Sequence, residues 1–401
     1  MISLSIIKTM QKKVLIIAGL IIILLLISIW VYLLFFGTPK SASEVFTDFD
    51  SSPGEVVDIE GQNKNNTPTV DVTQSKLRQL TTKPVAGFNE VYSTSTNSRD
   101  IYYAEMGTGH IYSINLGTGE EKRLSATTVA GVNSAEFSTK GDYVALGSQA
   151  NDKSTTVIIG RISPDTNEII TKELPNITDD FTVSMNGGDL LYTSKDTAGL
   201  SGHAYNFKSG NDKILFTIPF HEAIIQWGKE SDDTHYFYTK PTYLLEGYLY
   251  QITKGKISRL PVSGYGLTAM ANDYMVAYSI NENGLSKNYI YNRKTKTTKP
   301  LNTTILPEKC IIAVSTEKLI CAWEAGVNLP IEFPDKWHQG VTQYKDSIWD
   351  IYGDIPSINL ITDTLEESGR NIDITNLKAG AGNRNLYFIN KNDNTLWMYE
   401  L

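Results

Sequence analysis

The sequence DIYYAEMGTGHIYSINLGTGEEKRLSAT, residues 100–127, consists of three short segments in which the side-chain character alternates with period two. The segments span residues 101–104, 110–116 and 121–124. Glycine-bearing turns separate them, at residues 106–109 and 117–119. Period-two alternation interrupted by tight glycine turns is typical of antiparallel strands joined as hairpins. We therefore predict three consecutive strands in this segment.

The same pattern recurs to the last residue of the chain. One strand of each unit carries an aromatic residue at a fixed place: Tyr112, Tyr205, Tyr250, Tyr291, Trp349 and Trp397. The second unit lacks the aromatic and has VIIGRI at 157–162 instead. The separations fall mostly between about 40 and 50 residues, the period of a four-stranded propeller blade. We predict an all-β, seven-bladed β-propeller; six blades plus an irregular unit is the alternative, because the fifth and sixth units are uneven.

The two ends of the repeat array complement each other. The last unit stops after its third strand, whereas KLRQLTTKPVAG at 76–87 resembles the fourth strand and exit loop of the first unit, EKRLSATTVAG at 121–131. An N-terminal strand that completed the last blade would close the ring and remove exposed sheet edges. We predict that the propeller is closed in this way.

The sequence of the N-terminal region predicts a membrane anchor. Residues 14–36 are about 23 residues without a charge, long enough to cross a bilayer. Lys8, Lys12 and Lys13 precede them, which predicts a cytoplasmic N-terminus and an exported remainder. A cleaved signal peptide, with a weak site at 41–43, is the alternative. The predicted domains are a cytoplasmic segment 1–13, a transmembrane helix 14–36, a flexible linker 37–75 and an extracytoplasmic propeller 76–401, which places the protein in the cytoplasmic membrane as a single-pass protein.

The charge of the exported part excludes one class of partner. It carries 33 of the 36 basic residues and all 44 acidic residues, a net charge of about −11. Nucleic-acid binding requires a basic surface, so no nucleic-acid partner is predicted.

One repeat resembles a known group. AEFSTKGDYVALGS, at 135–148, is similar to the FSPDGK-type repeat of TolB-type, WD-like bacterial propellers. Phe137, Ser138 and Gly141 are retained, while Thr139 and Lys140 stand where the family has Pro and Asp. The resemblance covers about 76–401 and implies a fold without an activity. The overall plan, with PEKC and CAW followed by PDKWHQG, also resembles membrane-anchored propellers of bacteria.

The chain has two cysteines, Cys310 and Cys321. They fall on consecutive predicted strands of the sixth unit, where facing residues come close enough for a disulfide. The predicted export places them in an oxidising compartment. A disulfide is the main prediction, and two buried, inert thiols are the alternative.

No catalytic or metal-binding motif appears. The sequence contains no GxSxG, HExxH or glycine-rich phosphate loop, and its five histidines are scattered. When the first strands are aligned on Phe137, only Glu136 is an acid among the five alignable positions before it, whereas a glycosidase needs a carboxylate pair. We therefore predict no cofactor and no enzymatic activity.

Long loops at one face of the predicted propeller carry large apolar side chains, which are typical of partner surfaces. The candidate residues are Tyr243, Leu244, Leu245, Phe333, Trp337 and His338. The alternative is that these loops fold over a neighbouring blade and bury the same residues. The predicted function is a protein–protein docking module of the cell envelope. The alternative function is a propeller enzyme or ligand sensor with a site in the central funnel.

Overall fold

The computed structural model describes residues 75–93, 98–149, 155–162, 169–228, 233–312, 318–327, 329, 332–352 and 357–401, together with Ile23 and Ser28. Chain contacts divide the protein into two units, Met1–Asp71 and Val72–Leu401. Within the described residues, no helix has the length and apolar character needed to cross a membrane. The predicted anchor at 14–36 lies outside these residues, except for Ile23 and Ser28, which are helical and exposed. The predicted segments 1–13 and 37–74 lie outside them entirely.

The described part of the second unit is built from antiparallel strands in five sheets. β1 (Leu77–Gln79) belongs to sheet V. Sheet I contains β2 (Val85–Ser93), β3 (Ser98–Glu105), β4 (Ile111–Asn115) and β5 (Glu121–Ser125). Sheet II contains β6 (Val132–Phe137), β7 (Tyr143–Gln149), β8 (Thr155–Ile162), β9 (Ile169–Val183), β10 (Asp189–Lys195), β11 (Leu200–Asn206) and β12 (Asp212–Ile218).

Sheet III contains β13 (Ala223–Gln226), β14 (Thr234–Thr239), β15 (Glu246–Thr253), β16 (Lys256–Ala271), β17 (Met275–Glu282), β18 (Leu285–Asn292) and β19 (Thr297–Leu301). Sheet IV contains β20 (Cys310–Ile312), β21 (Lys318–Trp323), β22 (Ser347–Tyr352) and β23 (Ser357–Asp363). Sheet V contains β24 (Ile374–Ala379), β25 (Asn385–Asn390), β26 (Thr395–Glu400) and β1. Two short α-helices, α1 (Asp335–His338) and α2 (Thr364–Ser368), lie in connections.

The three strands predicted at 100–127 are present as β3, β4 and β5. Their alternation has the expected cause, because Ile111 and Ser113 of β4 are buried whereas Tyr112 and Asn115 are partly exposed. Successive side chains of a strand point to opposite faces of the sheet. The all-β class predicted from this periodicity is confirmed.

β9 and β16 are long strands that each pair with one neighbour along their first part and with another along their second part. The first part of β16 pairs with β15, and its second part, from Tyr265, pairs with β17. The change of partner falls at Gly264 and Gly266, which have φ angles of 159° and 61°. These conformations favour glycine because it has no Cβ. β9 likewise pairs with β8 before Ile177 and with β10 after it.

Apolar cores lie between successive sheets. Between sheets I and II, Ile111 packs with Val132 and Phe137. The junctions of sheet II with III, of III with IV and of IV with V each have a core of their own. Between sheets V and I, Phe88 packs in one cluster with Met398. The sheets therefore pack face to face in sequence order, and the last of them returns to the first.

The two ends of the array meet in sheet V. Leu77 and Gln79 of β1 pair with Tyr399 and Trp397 of β26, so the strand pairing predicted from 76–87 is confirmed. Lys378 of β24 reinforces the junction: its Nζ donates to the Phe88 carbonyl oxygen of β2 at 3.3 Å. The first strand of the propeller unit, β1, is therefore paired with its last strand, β26.

The two cysteines are facing residues of the β20–β21 hairpin. In the structure they are joined by a disulfide bond between Cys310 and Cys321. Both are buried in the core between sheets III and IV.

Candidate functional site

The candidate site lies at one edge of sheets III, IV and V, which we call the loop face. β14, β17 and β21 end at this edge, so the connections 240–245, 283–284 and 324–346 begin there. The segment 302–309, which leads from β19 to β20, lies at the same edge because Leu301 pairs with Asn288 near the start of β18.

The long connection 324–346 folds back onto the sheets. α1 lies within it, and Trp337 of α1 packs with Phe333, Leu306 and Tyr344 in a small apolar cluster. Phe333 and Trp337 are only 5% and 6% exposed. The alternative interpretation of the sequence therefore holds for these two residues: they are buried by their own loop and are not part of an exposed partner surface.

A buried ionic cluster lies beneath Trp337. The Lys309 ammonium contacts Asp346 at 2.6 Å and Asp373 at 2.5 Å. The Trp337 indole donates to both Asp373 oxygens at 3.2 Å. The backbone N–H of Ile374 donates to Asp346 at 2.7 Å. These charge-assisted bonds join the loop to the segments that precede β20 and β24.

The charges in this cluster are perturbed by their surroundings. Burial raises the pKa of Asp346, and the neighbouring Asp373 raises it further, while Lys309 and the Ile374 amide oppose the shift. Burial lowers the pKa of Lys391, whose ammonium lies 3.7 Å from the centre of the Trp337 ring and donates to the Trp337 carbonyl oxygen. Lys309, Asp346 and Asp373 are each 2% exposed or less, so we interpret their cluster as the anchor of the loop.

Two further contacts fix α1. His338 lies 2.8 Å from Glu308, and Glu308 in turn accepts a hydrogen bond from the Tyr238 hydroxyl at 3.1 Å. The backbone N–H of Tyr243 donates to Asp335 at 2.8 Å. The loop therefore bridges sheets III, IV and V. Of the six predicted partner residues, it holds His338 in a hydrogen bond with Glu308 and Tyr243 in a backbone contact with Asp335.

The other two predicted residues are exposed. Leu244 and Leu245 are joined at the loop face by two large side chains that the sequence analysis missed, Tyr265 and Leu285, and the four are between 52% and 66% exposed. Tyr265 pairs with Glu246 and with Asn281. Leu285 follows on the same hairpin. We call these four residues the loop-face patch. Tyr265 and Leu285 could have been predicted from the sequence, because each is a large side chain directly after a glycine, Gly264 and Gly284.

A cleft of about 670 Å³ lies beside the patch, between sheets III and IV. Leu285 is at its edge, and Trp323 and Trp349 lie on its sheet IV side. Its volume is within the range of about 300–1,000 Å³ that small-molecule sites occupy.

Two acidic residues, Glu136 of β6 and Asp180 of β9, lie in different electrostatic environments. Glu136 of β6 forms an ion pair with Lys378 at 3.0 Å. Asp180 of β9 is different, because burial raises its pKa to about 7 although the Ile225 backbone opposes the shift. Asp180 and Glu308 both raise the pKa of Tyr238, after burial as the largest cause. The carboxylates of Asp180 and Glu308, which are distant in sequence, therefore both act on the Tyr238 hydroxyl.

Among the residues that the structure describes, no group of three or more His, Cys, Asp or Glu side chains could hold a metal ion.

No family model and no curated protein matches this sequence. Solved structures do match. The β-propeller domain of the Trilobed protease from Pyrococcus furiosus is 10% identical, with a TM-score of 0.50 over 79% of this chain and 92% of that one. An oligogalacturonate lyase from Vibrio parahaemolyticus is 11% identical, with a TM-score of 0.50 over 82% and 94%. The Cps50 (Swd1) β-propeller domain of Myceliophteria thermophila is 8% identical, with a TM-score of 0.50 over 81% and 99%. The class of fold is therefore a β-propeller.

These neighbours correct one prediction. We predicted from the absence of motifs that the protein is not an enzyme, and this conclusion is wrong, because the same fold occurs in an oligogalacturonate lyase and in the propeller domain of a protease. The physical reason is that activity depends on a few side chains placed on a fold, which can come from distant strands without a sequence motif. At 11% identity or less, the likeness shows the fold alone.

Proposed function

We propose that this protein is a membrane-anchored propeller outside the cytoplasmic membrane, and that it docks a protein of the cell envelope through the loop-face patch. The observation that carries the proposal is the exposure at one edge of Leu244 and Leu245, which lie in the connection 240–245, together with Tyr265 of β16 and Leu285 of β18. Large apolar side chains that cluster on a surface mark interaction sites, and aromatic anchors dominate their energetics.

The anchored loop supports this proposal. The buried cluster around Lys309 and the bond from Tyr243 to Asp335 fix the backbone beside Leu244. A surface that is rigid before binding loses less conformational entropy when a partner binds. The membrane anchor is inferred from the uncharged segment 14–36 and its flanking lysines.

The proposed architecture has seven blades. If β9 and β16 are each divided at their change of partner, sheets II and III become two blades each, and all groups have four strands. Two further core clusters support the division, because one lies inside sheet II and one inside sheet III. Each then corresponds to a contact between neighbouring blades.

The docking proposal is tested by cross-linking the full chain in intact cells, followed by mass spectrometry. The double variant Leu244→Ser/Leu245→Ser should lose the cross-linked partner. The matched control is Ile214→Ser/Leu360→Ser, which removes two similarly exposed side chains from other strands. A partner that is retained by the first variant, or lost equally from both, would contradict docking through the patch.

A second candidate function is a catalytic or ligand-binding site in the central funnel. The observation that favours it is Asp180, whose pKa of about 7 suits a general acid or base at neutral pH. Glu308 would be the second carboxylate, with Tyr238 between them. Incubation with polysaccharides and peptides, followed by mass spectrometry of the products, tests this function. Turnover that persists in Asp180→Asn would exclude Asp180 from the chemistry.

A further inference from the structure

The cleft between sheets III and IV has two walls of different chemistry. One wall comes from the start of β18 and the end of β19, with the connection that follows β19. The other comes from the end of β21, the residues after it, and β22 and β23. The cleft is separate from the proposed partner docking, although Leu285 belongs to both.

The sheet IV wall is aromatic. Trp323 and Trp349 face each other across β21 and β22, with ring centres 4.8 Å apart and planes at 17°. The Trp349 indole donates to the Trp323 carbonyl oxygen at 3.4 Å, which fixes the pair. Trp323 is only 6% exposed, whereas Trp349 is partly exposed. Trp349, backed by Trp323, therefore offers a flat, rigid apolar surface on which another flat apolar face can stack.

The sheet III wall of the cleft carries uncharged polar groups, including those of Asn288 and Thr303. The Asn288 carboxamide donates to the Thr303 carbonyl oxygen at 2.5 Å. The Asn288 Oδ1 and Thr303 Oγ1 atoms are buried and make no hydrogen bond within the residues that the structure describes. Buried polar atoms are normally satisfied, so an acceptor left over beside a cleft indicates a donor that enters from it. Ser286, Asn302 and Thr304 add amide and hydroxyl groups to the same wall.

The charge of the lining narrows the ligand class. Among the described side chains that line the cleft, Lys287 is the only ionisable one besides the tyrosine, and it is exposed. These described lining residues offer no carboxylate to a cation, and they offer an anion one solvated ammonium. A neutral ligand with many hydroxyl donors and acceptors and an apolar face suits both walls.

We propose that this cleft binds a neutral oligosaccharide, with a pyranose ring against the Trp323–Trp349 wall and its hydroxyls against Asn288 and Thr303. The C–H face of a sugar ring packs on an indole, and its hydroxyls both donate and accept hydrogen bonds. An uncharged peptide is the competing ligand, since it also carries donors and acceptors, but it lacks the density of hydroxyls that the polar wall matches.

The test is the binding of the full chain in detergent to an array of neutral hexose and N-acetylhexosamine trimers, confirmed by quenching of tryptophan fluorescence. Ala325→Trp places a large side chain in the cleft from an exposed position and should weaken binding by roughly tenfold or more. Asn288→Leu removes the acceptor at similar volume and should also weaken it. The control is Leu244→Ser/Leu245→Ser, which should leave saccharide binding unchanged.

Each outcome of the binding measurement either supports or overturns the saccharide proposal. Binding that is lost in Ala325→Trp and kept in the patch variant supports the proposal. No binding to any trimer, or equal binding by Ala325→Trp and the unchanged chain, overturns it. Binding of an uncharged tetra-alanine peptide without saccharide binding overturns it in favour of a peptide site. Because the partner cross-link of the patch is measured separately, failure here leaves the docking proposal to its own test.

Discussion

At the scale of single residues, Lys309 holds two buried carboxylates of the loop face together. Among the described residues it is the one cation that forms an ion pair with Asp346 and Asp373, and both contacts are within 2.6 Å. Burying charges is costly, so the cluster is stabilised by the contacts of Lys309 with both carboxylates and by the hydrogen bonds from Trp337 and the Ile374 amide. The second oxygen of Asp346, Oδ1, makes no hydrogen bond within the described residues.

Lys309→Met should therefore destabilise the protein strongly. Removing one partner of a buried ion pair leaves uncompensated charge and costs about 3–5 kcal/mol in the free energy of unfolding. Urea denaturation measures this loss. The control is Lys240→Met, which breaks the exposed pair with Glu222 and should cost less than about 1 kcal/mol. Equal effects of the two substitutions would show that the cluster is not the anchor of the loop.

Asp180 should make stability depend on pH. Its pKa is raised in the folded protein to about 7 from an ordinary value of 3.8, so between these values the folded state binds more protons than the unfolded state. Stability must then fall as the pH rises from about 4 to 7, by about 1 kcal/mol per pH unit. Asp180→Asn should remove this part of the slope in urea titrations at pH 5, 6 and 7. Parallel slopes for the two proteins would contradict the raised pKa.

At the scale of elements, β1 is the strand on which the ring depends. It is only three residues long, yet it supplies the outer strand of sheet V, and the side chain of its first residue, Leu77, is buried. Without β1, the edge of β26 would be unpaired and the core between sheets IV and V would lose Leu77.

Deletion of residues 76–82 should lower the melting temperature or prevent folding. A synthetic peptide of residues 75–83 should restore stability to the truncated chain by adding a strand to the free edge of β26. A scrambled peptide is the control. A truncated chain with unchanged melting temperature, measured by circular dichroism, would mean that the β1–β26 pairing contributes nothing.

At the scale of the whole molecule, the predicted topology places the propeller outside the cytoplasmic membrane and the first 13 residues inside. Ile214→Cys provides an exposed thiol on β12, and Ser5→Cys provides one before the uncharged segment. In intact cells a membrane-impermeant maleimide should label the first variant only. Labelling of Ser5→Cys alone would reverse the orientation, and labelling of neither before lysis would place both segments inside.

Sequence alone determined the features that repeat. Alternation with period two predicted the strands, and the likeness of 76–87 to 121–131 predicted the β1–β26 pairing. The grouping into seven blades, which the recurring aromatic residue indicates, stays a prediction. These are local or periodic signals, and the alternation and the aromatic position recur often enough to be recognised even where single copies are degenerate. The candidate site was predicted only in part, because Leu244 and Leu245 are exposed as expected whereas Phe333 and Trp337 are not.

Tertiary structure alone decided which side chains meet. Lys309, Asp346 and Asp373 are far apart in sequence and carry no motif, yet they form one buried cluster that contacts Trp337 of the 324–346 loop. Asp180, Tyr238 and Glu308 were brought together in the same way. An apolar residue on a loop can be buried by its own loop or offered to a partner, and composition cannot separate the two, because the difference lies in contacts between distant segments.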